Sequence, residues 1–263
     1  MLEYSFFRLA LAGVVIIAVA AAIIGTYIIT RRMVALSGGI THACFGGLGL
    51  GYFLGVRPIL MAGVFAVASS LGVEWMARRM RVREDSAIAV VWALGMAIGV
   101  LFVFLTPGYV PELNAFLFGN ILTISAADVA AFAVFTAVLL GFYALYYRQI
   151  VACAFDRDFA RVAGLPVRFI TVAMTVFVAV CIVLTIRLVG VMLLMSMLSL
   201  PMMVAEVWTH RYGRLMLLST AVSAACSVSG LFIAAVVDVP CSAIIVLLMV
   251  AAYIFSKIIK HCL

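Results

Sequence analysis

Nine apolar runs, each about 20 residues long, take up most of this chain: roughly 7–29, 36–56, 58–77, 86–106, 126–147, 167–186, 188–208, 213–236 and 240–258. A 22-residue helix rises about 33 Å, enough to cross a hydrocarbon layer about 30 Å thick. Lipid accepts only helices or closed barrels, because each backbone polar group must find its partner within the protein. The runs do not alternate with period two, so helices remain. Composition points the same way. The chain is 68% hydrophobic and 10% charged, where a soluble domain carries about 25% charged residues. The expected fold is all-α: one polytopic membrane domain over residues 1–263 with about nine transmembrane helices.

The net charge of +7 would suggest a nucleic-acid partner if it clustered on a soluble face. Instead it follows the loops. With the N-terminus outside, 14 of the 17 Lys and Arg residues fall on the inner side, and only Arg8, Arg57 and Arg187 lie outside. The positive-inside rule therefore favours N-out and C-in, with lipid rather than nucleic acid as the surroundings. The N-terminus shows no clear small-residue cleavage site, and its run is read as a retained first span. Cys44, Cys153, Cys181, Cys226, Cys241 and Cys262 show no CxxC spacing and lie mostly in apolar runs. They read as buried free thiols.

One outer segment is irregular. Thr106-Pro107-Gly108-Tyr109-Val110-Pro111 is a cluster of breakers, and 112–123 (ELNAFLFGNILT) is apolar but too short to cross. A short re-entrant or interfacial helix is expected there.

The second run carries Gly39, Ala43, Gly47, Gly51 and Gly55 at four-residue spacing. Such a ridge lets another helix backbone approach closely, either within the fold or along a dimer or pore face. His42 stands one position off the ridge, with Gly46 and Gly49 along its own face. A histidine inside a membrane span points to a bundle interior or to water, and its imidazole suits zinc or manganese. A hydrogen bond to a neighbouring helix is the plainer reading. Asp238 is the one obvious further ligand candidate, and its place before Pro240 also suits a helix-ending turn. Glu74 and Arg78 form an i,i+4 pair, Glu206 is placed to meet Arg211 or Arg214, and Asp128 suits a helix N-terminus.

The long polar stretch, Arg148–Arg168, has its own local logic. Asp156 caps a short helix from Arg157 to Ala163, Gly164 ends it, and Pro166 prevents continuation. Phe155 and Phe159 lie four apart, as do Ala160 and Gly164. The expected product is a cytoplasmic helix with an aromatic knob and a smooth side, suited to another protein's groove rather than to water. The chain has two lysines, both in the last seven residues, and no GxxxxGK[ST] loop. HExxH, GxSxG and paired carboxylates for a proton relay are also missing. An enzyme is not expected, nor a bound cofactor.

Four stretches resemble the permease subunits of the zinc/manganese/iron ABC importers, the ABC-3 group. They are RRMVALSGGITHACFGGLGLG (31–51), EDSAIAVVWALGMAIGVLF through ELNAFLFGNILTIS (84–125), FDRDFARVAGLP (155–166), and VGVMLLMSMLSLPMMVA leading to VDVPCSAIIV (189–246). The resemblance implies two permease copies, cytoplasmic subunits that hydrolyse ATP, an extracytoplasmic solute-binding protein and a transported divalent metal. It also implies that Phe155–Pro166 is the coupling helix docking on the ATPase, and that His42 lines the pathway. Two positions depart from the pattern. Gly38 stands where many members carry an aspartate, and Cys241-Ser242 follow Asp238-Val239-Pro240 where Ser-Gly is common. Other readings are a permease for metal chelates or corrinoids, an autonomous secondary transporter, and a membrane scaffold.

Overall fold

The structure is a computed structural model, and it describes residues 5–107, 119 and 124–262. Its helices are α1 (Ser5–Thr30), α2 (Val34–Leu54), α3 (Pro58–Arg79), α4 (Glu84–Leu105), α5 (Ala126–Phe155), α6 (Arg157–Val162), α7 (Val167–Trp208), α8 (Tyr212–Val237) and α9 (Cys241–Cys262). Among the described residues, nine segments are long and apolar enough to cross a membrane. Two of them, Val167–Ile186 and Leu188–Trp208, share α7. At 42 residues α7 is far longer than one crossing requires, and it breaks at Gly190 (φ 75°, ψ 172°). The helix expected at 112–123 lies outside the described residues, except for Gly119.

The helices gather into two compact units, one formed by residues up to Ile29, the stretch ending at Tyr147 and Leu188 onward, the other by the segments starting at Thr30 and at Arg148. In the second unit α2 packs against both α3 and α4. Gly39 and Ala43 meet α4: a Cβ on Gly39 would lie 2.5 Å from Ile88 Cγ2, and one on Gly95 would lie 2.4 Å from Ala43 Cα. Gly47 and Gly51 meet α3, where added Cβ atoms would fall 2.4 Å from Met61 O and 2.7 Å from Pro58 Cα. The change of partner follows from helix geometry. Four-residue steps advance about 40° per step on a 3.6-residue helix, so the ridge winds from one neighbour to the other. Gly55 takes no part in this packing. It has nothing within 4 Å of its added Cβ and closes α2 in the left-handed region (φ 66°), its N–H directed to Gly51 O and Tyr52 O.

The other unit is held by similar close approaches. An added Cβ on Gly25 would sit 2.3 Å from Leu198 O, and one on Gly230 2.5 Å from Ile245 Cγ1. Tyr143 and Tyr212 share a buried hydroxyl pair at 3.1 Å, joining α5 to α8. Gly119 (φ 62°) lies against the break in α7, where a Cβ would come within 2.2 Å of Val189 C.

Three expectations change. The helix of the fifth span breaks at Tyr146 (φ −115°, ψ 17°), near the expected end of the span, and helical structure then continues to Phe155, because Ile150, Cys153 and Ala154 give the start of the polar stretch a buried helical face. Asp128 does more than meet a helix dipole. Ser125 Oγ donates to Asp128 Oδ2 at 2.7 Å while Asp128 N–H donates back to Ser125 Oγ at 3.2 Å, a reciprocal cap. Glu206 is exposed and forms no ion pair with Arg211 or Arg214 among the described residues.

Candidate functional site

The short helix α6 is built as its sequence dictates. Asp156, in extended backbone (φ −146°, ψ 103°), accepts from the N–H groups of Asp158 and Phe159, both at 2.9 Å. The helix closes through Ala163 N–H to Phe159 O (2.9 Å) and Leu165 N–H to Ala160 O (3.0 Å), with Gly164 at φ 74°. Phe155, Phe159 and Val162 are 61%, 66% and 89% exposed, while Ala160 is fully buried. The apolar knob therefore faces outward as expected. Ala160 does not: it faces the protein's own interior and is the foot on which the helix stands, not part of a surface offered to a groove. Gly164 is exposed.

Arg157, the first residue of α6, is anchored at two carboxylates. Its Nη1 donates to Glu84 Oε1 at 2.8 Å, and its Nη2 lies 3.8 Å from Glu74 Oε2. Glu84 also accepts from Arg31 Nη2 at 3.3 Å, and Glu74 from Arg78 Nε. The Glu74 and Arg31 side chains are 8% and 5% exposed, so these charges sit in a poorly hydrated corner where pairing matters more than at an open surface. The cluster joins the start of α6 to the end of α3, the start of α4 and the turn before α2.

His42 lies in α2 with its ring stacked on the Trp92 indole of α4, centroids 4.6 Å apart and planes within 4°. Gly46 and Gly49 continue that face, packing on Gly95 and Gly99. Asp238 caps the C-terminus of α8 in the left-handed region (φ 58°, ψ 49°) and is exposed, its N–H directed to Ala234 O. Among the described residues, no three His, Cys, Asp or Glu side chains come together as a metal-binding group. His42 thus stands as a single imidazole.

Sequence reasoning found α6 and its cap but missed what holds it. The Arg157–Glu84 and Arg31–Glu84 contacts join residues 73 and 53 positions apart. No local spacing signals such a pair, and the arginines were explained already by topology. Trp92 was likewise invisible as the partner of His42.

Among the described residues, nine segments long and apolar enough to cross a membrane, with a capped, outward-facing helix between the fifth and sixth, define a polytopic membrane protein. The chain belongs to the ABC 3 transport family, whose model matches residues 3–260. It is 34% identical over 248 residues to a "Probable metal transport system membrane protein" of Chlamydia pneumoniae, covering 92% of this chain and 85% of that one. It is 26% identical over 255 residues to the manganese transport system membrane protein MntC of Listeria monocytogenes, covering 97% and 90%. Among solved structures, PsaBC from Streptococcus pneumoniae in complex with Fab superimposes with a TM-score of 0.84 at 26% identity, covering 97% of this chain and 91% of its own.

Proposed function

We propose that this chain is the membrane-spanning permease subunit of an ATP-driven importer of a divalent metal ion, supplying the path across the bilayer. It works as a pair of copies, receives its cargo from an extracytoplasmic solute-binding protein, and borrows ATP hydrolysis from cytoplasmic subunits docked on α6. The observation that carries the reading is α6 itself. A capped six-residue helix with Phe159 and Val162 held outward, between two crossing segments, is a costly exposure for a solvated loop and a suitable one for a docked lever. The relatives named for metal and manganese transport support the cargo. The ion cluster supports a common side for these loops: the turn before α2, the α3–α4 turn and α6 meet at one end of their unit, as alternating spans require, and the basic residues favour the inner side for them.

His42 lines the path, and Asp238, at the end of α8, is the further candidate contact for the ion. Manganese is the first ion to try. Cells lacking the chain are complemented with wild type, His42→Ala or Asp238→Ala, and 54Mn uptake is measured. Wild type restores uptake, and His42→Ala lowers it by about tenfold, the scale on which losing a metal contact acts. Unchanged accumulation of manganese, zinc and iron on deletion would refute the proposal.

A further inference from the structure

The cluster at the foot of α6 does more than brace a loop. We infer that Arg157 is a positioning residue that passes movement of α6 to the two helices holding His42, by gripping Glu84 at the head of α4 and, through Glu84, Arg31 ahead of α2. This rests on the reading of α6 as the ATPase-docking helix and adds a route by which that docking reaches the pathway.

Three observations carry it. Arg157 is the first residue of α6, so it moves with the helix, and its guanidinium meets two carboxylates at 2.8 and 3.8 Å on separate helices. Nη1 donates a charge-assisted hydrogen bond to Glu84, while Nη2 has no hydrogen-bond partner among the described residues and meets Glu74 as an ion pair, so Glu84 is the firm grip and Glu74 a second charge beside it. Next, Glu84 Oε1 is shared between Arg157 and Arg31, and Arg31 lies three residues before the first residue of α2. A push on α6 therefore reaches α2 and α4 together. Last, these are the helices that meet at His42: Trp92 stacks on it from α4, two turns beyond Glu84, and the glycine contacts below leave the pair no slack. Helices in backbone contact move as one body rather than bending independently.

Arg157 is also set apart from the docking surface. Its side chain is 25% exposed and turned to the carboxylates, whereas Phe159 and Val162 face outward. Coupling and docking are therefore separable by mutation.

The test uses the complete transporter, this chain with its ATP-binding subunit and solute-binding protein, in proteoliposomes with Mn2+ as the probe. Three quantities are read: ATP-binding subunit retained on purification, ATP hydrolysed, and Mn2+ transported per ATP. Arg157→Gln is expected to retain the subunit and hydrolyse ATP while Mn2+ per ATP falls about fivefold or more, the range of a typical coupling between sites. Glu84→Gln should do the same. The double variant Arg157→Gln with Glu84→Gln should lose no more than either single variant, because both remove the same contact, whereas independent structural roles would add their losses. Arg157→Lys keeps the charge but not the guanidinium, so its ratio should fall between wild type and Arg157→Gln, and it decides the matter if Arg157→Gln does not reach the membrane. An unchanged ratio in both Arg157 variants would overturn the inference, as would a double variant whose loss is the product of the two single losses. A wild-type chain that retains no ATP-binding subunit would refute the docking reading beneath it, and the relay with it.

Discussion

Gly49 and Gly99 meet where α2 and α4 touch, and an added Cβ on Gly49 would lie 2.4 Å from Gly99 O. Nothing flexible can yield there, because the obstructing atom is backbone. Gly49→Ala is therefore expected to cost about 1–3 kcal/mol through forced separation of the helices, read as a lower midpoint of thermal unfolding in detergent. Gly55→Ala is a contrasting case. It meets no atom within 4 Å but sits at φ 66°, so it should cost only the left-handed backbone penalty of about 1–2 kcal/mol. The ridge of small residues was legible in the sequence because spacing alone displays it. Its division between α3 and α4 was not, since that depends on which neighbour occupies each side. The same holds for His42: its place in a span was plain, but its stacking on Trp92, 50 positions along, needed the fold.

At the scale of elements, α6 was the most legible part of the chain. Asp156, Gly164 and Pro166 each act within a few residues, and the observed helix ends one residue short of the span expected from them, with Ala163 as its cap. Removing the cap in Asp156→Ala should cost about 1 kcal/mol and appear as faster amide hydrogen exchange at 157–162 with little change elsewhere. The knob gives a separate expectation. Phe159→Asp with Val162→Asp should abolish co-purification of an ATP-binding subunit while membrane insertion is kept, because neither side chain is needed inside the protein. Ala160→Arg is a poor probe of docking, since a buried methyl would give way to a charge and the foot of the helix would be lost. The helical stretch beyond the break at Tyr146, running to Phe155, escaped sequence reading for an opposite reason: Arg148 and Gln149 resemble a loop until Ile150, Cys153 and Ala154 are seen to be covered.

For the molecule as a whole, hydropathy made the nine spans readable and basic residues suggested their direction, because the bilayer imposes both through simple length and charge rules. The gathering of helices into two units was not readable, as it rests on contacts between helices of similar composition. Direction has its own check. Cys262 is exposed at the end of α9, so a variant keeping it as the sole cysteine should react with a membrane-impermeant maleimide in inside-out vesicles and not in intact cells. Labelling in intact cells would reverse the topology. The central claim, that this chain conducts metal but draws its power from elsewhere, is tested most directly by Mn2+ accumulation in proteoliposomes with and without the ATP-binding subunit. Uptake against a gradient only when that subunit, the solute-binding protein and ATP are all present is the expected result. Uphill accumulation by the chain alone would contradict it.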